Sequence, residues 1–235
     1  MSNKIVRLPA TQQIPRIMSE MRAAAETLQE MGWGVSVFGS ARIRPDSPYY
    51  RLAEALGERL AKAGLTVIAG GGPGLMEAAN KGAYEAGGHS VGLNISLPRE
   101  ASNNHYQTHS LQFDYFYSRK ATFFMHSAAY IALPGGFGTL DELFEVTTLV
   151  QTGKTPKAPI VLIGTDFWAG LLDWIRSHLL ANGLIGGNDL DLFFVTDDLD
   201  AVMAHIHTYC ADCFSRHEEP SLPIEREDSA DSVHQ

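Results

Sequence analysis

The segment Pro134-Gly135-Gly136-Phe137-Gly138-Thr139-Leu140-Asp141-Glu142 brings glycines, a hydroxyl and two carboxylates together in one short stretch. Glycines let a ligand approach the backbone closely, and the first N–H groups of a following helix point at whatever sits there. Pro134 to Thr139 therefore reads as a loop able to hold a phosphate. The helix is expected to start at Leu140, with Asp141 and Glu142 in its first turn, where the helix dipole favours acids. Glu145, three residues on, shares the same side of that helix. Two accounts stand side by side here. Either the acids only suit the helix end, or Glu142 faces the cavity that the loop serves. A carboxylate beside a phosphate loop fits work on a sugar, because glycosidic cleavage develops positive charge at the anomeric carbon.

Three other groups of residues offer related chemistry. Tyr117-Ser118-Arg119-Lys120 sets two cations side by side, a fork and a point charge suited to a phosphate or sugar; a solvated helix face is the alternative. Phe38-Gly39-Ser40-Ala41-Arg42 supplies the Ser40 hydroxyl and the Arg42 guanidinium after an apolar run, or else a routine turn. In Gly70-Gly71-Gly72-Pro73-Gly74-Leu75-Met76-Glu77, Gly71, Gly72 and Gly74 permit close approach, and Met76 and Glu77 follow in a helix whose first turn Pro73 fits. This is no dinucleotide fingerprint, since the third glycine would fall at Leu75. It is no Walker A loop either, since no Gly-Lys-Ser/Thr closes it. An anion or sugar site, or a tight structural turn, remains.

These motifs need elements to hold them. Apolar runs at 34–39, 65–69, 89–95, 128–133, 158–163 and 192–195, with a weaker one at 111–115, read as strands. Helical spacing marks 49–63, 75–86, 118–127, 140–150, 168–180 and 199–209. Continuous rather than alternating apolar strands imply burial on both faces. The expected fold is therefore α/β and Rossmann-like: a doubly wound, mainly parallel sheet of about seven strands with helices on both faces. In such sheets ligands bind beyond the carboxyl ends of the strands, where three of these motifs lie, with Arg119 and Lys120 beside the same edge at the start of the helix before the fifth strand. Residues 1–33 are expected to form an N-terminal extension with an amphipathic helix, whose apolar face, Ile14, Ile17, Met18, Met21, Ala25 and Leu28, either covers the sheet or serves a subunit contact. Residues 34–212 form the catalytic domain, and 213–235, charged and poor in large apolar residues, a disordered tail.

Composition narrows the function. A net charge of −9 argues against sequence-independent binding of nucleic acid, which needs clustered cations. No long apolar run predicts a membrane span, and the polar N-terminus has no signal-peptide core, so a cytoplasmic location is expected. Cys210 and Cys213, near His205, His207 and His217, match no standard zinc spacing and read as reduced thiols; no metal is expected.

Together these residues resemble the LOG ("lonely guy") family of cytokinin riboside 5′-monophosphate phosphoribohydrolases, many of which were long labelled lysine decarboxylases. The family signature P-G-G-x-G-T-x-x-E is matched by Pro134 to Glu142, the Arg-Lys pair by Arg119 and Lys120, and G-G-G-x-G-x-M by Gly70 to Met76. The resemblance runs over most of Gly34 to Asn182, and the Gly-Pro-Gly-Leu-Met-Glu-Ala-Ala-Asn-Lys-Gly-Ala version is similar to the longer bacterial branch. It implies hydrolysis of a nucleoside 5′-monophosphate to free base and ribose 5-phosphate, without metal or organic cofactor, by a homodimer or larger homo-oligomer. It implies Arg119 and Glu142 as the catalytic pair, and nucleotide contacts from Lys120, the Gly136–Thr139 loop and Thr148. The segment from Pro98 to Tyr106, which falls where relatives contact the base, departs from the plant-type pattern. A general purine or pyrimidine nucleotide nucleosidase and a non-catalytic nucleotide or molybdenum-cofactor carrier are the alternatives. A lysine decarboxylase would need a pyridoxal-phosphate lysine, and neither Lys120 nor Lys154 has that context.

Overall fold

The computed structural model describes residues 9–97 and 103–209. The expected tail and both cysteines lie outside the described residues. The described chain forms seven strands and seven α-helices: α1 (Ala10–Leu28), β1 (Gly34–Phe38), α2 (Pro48–Lys62), β2 (Thr66–Ala69), α3 (Leu75–Glu85), β3 (Ser90–Ile95), β4 (His109–Phe113), α4 (Phe116–Met125), β5 (Ser127–Ala132), α5 (Phe137–Gln151), β6 (Ile160–Leu162), α6 (Thr165–Trp174), β7 (Phe193–Val195) and α7 (Leu199–Tyr209). The sheet is parallel throughout in the order β4-β3-β2-β1-β5-β6-β7. Strand order reverses between β1 and β5, which opens a crevice at their carboxyl ends.

Both faces of the sheet are covered, which explains the continuous apolar strands. Val35, Val37, Val67 and Ile131 pack under Leu56, Leu60 and Leu75 of α2 and α3, joined by Val202 and Ile206 of α7. On the other face Phe38, Ile68, Val91, Leu93 and Tyr130 meet Leu28 of α1, Phe123 of α4, Leu143 and Val146 of α5, and Trp168 of α6. Helices α2 and α3 cross so closely that a Cβ at Gly57 would strike the Ala79 carbonyl, and one at Gly82 the Glu54 carbonyl. Ser47 caps α2 by accepting from Tyr49 N at 3.2 Å, with Pro48 at the first helical position.

Three expectations need correction, and a fourth is narrowed. Helix α5 starts at Phe137, not Leu140, so its first turn carries no acid, and Asp141 and Glu142 lie in the second turn. The dipole account of these carboxylates weakens accordingly, because that effect fades beyond the first turn. Pro73 precedes α3 instead of entering it; Gly74, at φ +70°, is the cap. Helix α6 begins at Thr165, and residues 175–180 continue it as a wider π-helical turn. In α1 only Ala24 and Leu28 are buried, while Ile14 and Met18 are 54% and 62% exposed, so the apolar face predicted there covers the sheet over its C-terminal half alone.

Candidate active site

Three loops meet at the β1/β5 crevice. Leu133 N donates to Phe38 O at 2.9 Å, Ser40 N to Pro134 O at 3.1 Å, and Leu75 N to Ser40 O at 3.0 Å. Gly74 is required twice over: its φ is positive, and a Cβ there would run into Ser40 O and Ala41. Gly136 and Gly138 face open space, which leaves room above the start of α5. No side chain caps that helix, so its first N–H groups are directed outward. Phe137 stands 93% exposed beside them. The Thr139 side chain is buried and packs on Gly135.

Helices α4 and α5 supply the charged groups. Arg119 and Lys120 are neighbours in sequence but diverge on the helix. Arg119 turns inward, 6% exposed, and its Nε donates to Leu93 O at 2.6 Å. Its Nη2 donates to Gly70 O at 3.2 Å, and its Nη1 approaches Glu142 Oε1 at 3.5 Å. The guanidinium lies 5.3 Å from the centre of the Phe123 ring, within cation–π range. Arg119 thus ties the end of β2 and the body of β3 to α5. Burial pulls its pKa down, while Glu142 works against that shift.

The Glu142 side chain is 14% exposed. Burial is the strongest influence on its carboxyl and outweighs Arg119, pushing the pKa from 4.5 up to about 7. Asp141 raises it further and Lys120 lowers it. Such a group exchanges its proton readily at neutral pH. Beside the pair, Gly39, Gly70, Met76 and Phe123 line a cavity of about 10 Å³, the space of roughly one water. Lys120 points outward and is held by Asp141 at 2.8 Å and by Glu145. Burial lowers its pKa, but these two carboxylates prevail and the net shift is upward.

The remaining predicted residues spread around this centre. Met76 packs its thioether on Gly70 and Gly72. Ser40 Oγ accepts from Arg42 N at 3.1 Å, and Arg42 is exposed. Glu77 faces α2, where Tyr50 donates to it at 2.8 Å. Thr148 lies about 9 Å along α5 from Glu142, at 1.5 Å per residue, and its hydroxyl donates to Phe144 O at 2.8 Å. It is not drawn into the charged cluster. A Gly-Lys-Thr sequence does occur at Gly153–Thr155, but it closes the C-terminus of α5: Gly153 has φ +69°, and Lys154 N and Thr155 N both donate to Leu149 O. That position rules out a phosphate loop of the Walker type.

A larger groove, about 490 Å³, lies elsewhere, between α1 and β4. Its chief carboxylate, Glu20, is already occupied by Asp114 N and Ser118 Oγ. Chemistry, not size, singles out the smaller cavity. Among the described residues no group of histidines, cysteines and carboxylates could hold a metal, and no helix is long and apolar enough to cross a membrane. Sequence reasoning missed Asn104 and Gln107, which grip the Gly71–Gly72 turn, and Asn94, which holds Gln107. Asn94, an amide inside an apolar strand, was the one visible signal.

Fold and site together define a doubly wound α/β protein with a buried carboxylate–guanidinium pair at its switch point. The chain belongs to the LOG family: the family model described as "Possible lysine decarboxylase" matches residues 76–206. A cytokinin riboside 5′-monophosphate phosphoribohydrolase of Arabidopsis thaliana is 34% identical over 173 residues, 72% of this chain and 79% of the relative. Proteins of the same name from Rhodococcoides fascians and Mycobacterium marinum are 30% and 33% identical, over 74% and 72% of this chain and 89% and 90% of their own. Among solved structures, a molybdenum cofactor binding protein from Rippkaea orientalis superposes with TM-score 0.55 at 21% identity, covering 75% of this chain and 96% of its own. The molybdenum cofactor carrier protein of Chlamydomonas reinhardtii gives 0.56 at 23%, over 77% and 99%. At these identities the two share the fold.

Proposed function

We propose that this chain hydrolyses the N-glycosidic bond of a nucleoside 5′-monophosphate, a cytokinin riboside monophosphate or AMP, to free base and ribose 5-phosphate. The names of the curated relatives support the reaction class, a hydrolase acting on N-glycosyl bonds. The observation that carries the reading is the buried Glu142 carboxyl, poised near neutrality and held by Arg119.

In this reading the 5′-phosphate lies over Gly136 and Gly138, where the N–H groups of the α5 N-terminus meet it. Lys120, at the rim, adds a cation. Glu142 faces the ribose. As the C1′–N bond breaks, its electron pair leaves with the base, which takes up a proton from solvent. The sugar becomes oxocarbenium-like, and the ionised carboxylate stabilises it. Water adds at C1′ and passes its proton to Glu142. Arg119, tied to the Leu93 and Gly70 carbonyls, keeps that carboxylate in place.

Two companion expectations belong to this reading. One is a homo-oligomer, supported by the exposed apolar side chains Ile14, Met18, Phe116, Tyr117 and Met125 on α1 and α4; sedimentation as a monomer at micromolar concentration removes it. The other is a cytoplasmic location. A carrier of the kind seen among the structural neighbours would share the fold, yet binding alone gives no role to a carboxylate held near neutral pKa. Incubation with a panel of nucleoside monophosphates, including an isopentenyl form, followed by chromatography for free base, tests the proposal. No base from any of them refutes hydrolysis.

A further inference from the structure

Between β3 and β4 the chain returns through residues 103–108, and this return is bonded to the glycine turn after β2. Asn104 N donates to Gly71 O at 2.8 Å, and Gln107 Nε2 reaches the same oxygen at 3.0 Å. Asn104 Nδ2 donates to Gly72 O at 3.1 Å, and Arg119 Nη2 holds Gly70 O at 3.2 Å. All three glycine carbonyls therefore have partners. A trans peptide is planar, with its C=O and N–H pointing in opposite directions. Fixing the carbonyls of Gly70 and Gly71 thus fixes the N–H groups of Gly71 and Gly72 on the other side. Gly71 has φ +73°, and a Cβ there would collide with the Asn94 amide, so the turn accepts only glycine.

The clamp is itself braced. Asn104 Nδ2 also donates to Asn80 Oδ1 at 3.0 Å, and Asn104 Oδ1 accepts from Tyr106 N at 3.0 Å. Asn94 Nδ2 donates to Gln107 Oε1 and to Ser110 Oγ, both at 2.9 Å. Asn80 and Asn94 are fully buried, and no buried side-chain polar atom among the described residues lacks a partner. A polar network this complete rigidifies one arrangement. Here the arrangement it fixes is a turn at the ligand edge of the sheet.

We propose that Gln107 and Asn104 are positioning residues for the substrate: through the Gly71 carbonyl Gln107 aims the Gly72 N–H at the ribose phosphate, and through the Gly72 carbonyl Asn104 holds the following Gly72–Pro73 peptide, which has no N–H, and so fixes the shape of the turn. This rests on the nucleotide reading above. Asn104→Asp and Gln107→Glu keep side-chain shape but replace the donors to the turn with acceptors. Ser110→Ala removes a bond of the same network that does not reach the turn, and serves as the control. The readouts are KM and kcat for base release from AMP, calorimetric Kd for ribose 5-phosphate, and Tm.

Asn104→Asp and Gln107→Glu are expected to raise KM and Kd about ten-fold or more, with kcat changed less than about three-fold. Ser110→Ala lowers Tm and leaves KM as it was. Unchanged KM and Kd in the first two variants overturn the proposal. So does an equal rise in Ser110→Ala, which reduces the effect to general stability. A wild-type protein that binds ribose 5-phosphate but releases no base refutes the hydrolase, while the Kd values still decide the clamp. A wild-type protein that does neither refutes both.

Discussion

Replacing Glu142 with Gln separates what this side chain does for the reaction from what it does to the fold. Its carboxyl pKa rises from 4.5 to about 7 on folding, mainly through burial and in spite of Arg119. Each tenfold shift of an ionisation equilibrium corresponds to about 1.4 kcal/mol, so carrying the ionised form costs the native state about 3 kcal/mol. The group's folded pKa lies above its unfolded value. Its contribution to stability is therefore fully present below about pH 4.5 and is lost as pH rises through about 7. Gln imitates the neutral acid at every pH. At pH 8.5 the variant should be more stable than wild type by up to about 3 kcal/mol, and at pH 4.5 about equally stable. In a domain of this size that gain raises Tm by roughly 6–12 °C. The same substitution should lower kcat for base release by about 10²–10³, since the carboxylate proposed to stabilise the charged sugar is gone. Thermal unfolding at the two pH values and chromatography of released base measure both effects. An unchanged or lower Tm at pH 8.5 would refute the claim that burial dominates at Glu142. Undiminished activity would remove Glu142 from the reaction.

Two further outcomes follow from neighbouring contacts. Lys120 holds the Glu142 pKa down, so Lys120→Met should move the midpoint of the kcat/KM pH profile upward from about 7; a midpoint that stays put contradicts that coupling. Asp197 accepts from Gly164 N at 2.6 Å, Thr165 N at 3.1 Å and Thr165 Oγ1 at 2.6 Å, which caps α6 from outside, so Asp197→Ala should lower stability by about 1 kcal/mol with KM unchanged. Burial raises the Asp197 pKa but its three donors outweigh it and the net shift is downward; the loss should be full above about pH 4 and shrink progressively in acid, and a loss that does not change on acidification argues against the cap.

The inner strands were legible because they are buried on both faces, which demands an unbroken apolar run such as Val67-Ile68-Ala69, whereas the edge strand β4 exposes alternate residues and gave the weaker signal. The start of α5 was not, because a glycine inside a helix costs about 1 kcal/mol and Gly138 therefore reads as loop; tertiary placement of the turn overrides that preference. The motif also showed that Arg119 and Lys120 matter together, but not that they do opposite things. Successive helical residues point about 100° apart, so one of the pair must turn away from the other. Phe123 stands four residues after Arg119 and Phe124 four after Lys120, and both are buried, so the sequence did not mark which one goes inward. The clamp at Asn104 and Gln107 was invisible for a different reason: its acceptors are backbone oxygens of a turn more than thirty residues earlier, a pairing that only the sheet order creates.

The cluster at the crevice is hard to explain as a stabilising feature. Arg119 and Glu142 are both largely removed from water, and a buried ion pair is often matched or bettered by apolar residues of the same volume. The geometry is also not what stability alone would favour, since the Arg119–Glu142 contact is long at 3.5 Å while the firmer bonds of the guanidinium go to Leu93 O and Gly70 O. The arginine is anchored to the scaffold first and to the carboxylate second. That order leaves Glu142 incompletely neutralised, with a pKa near 7 beside a space for one water. A tighter pair would be better for the fold, but it would hold the carboxylate ionised and remove its capacity to take up a proton at neutral pH. The looseness of this one contact, set by the Gly70 carbonyl just after β2 and the Leu93 carbonyl within β3, links the strand order of the sheet to the chemistry proposed at its edge.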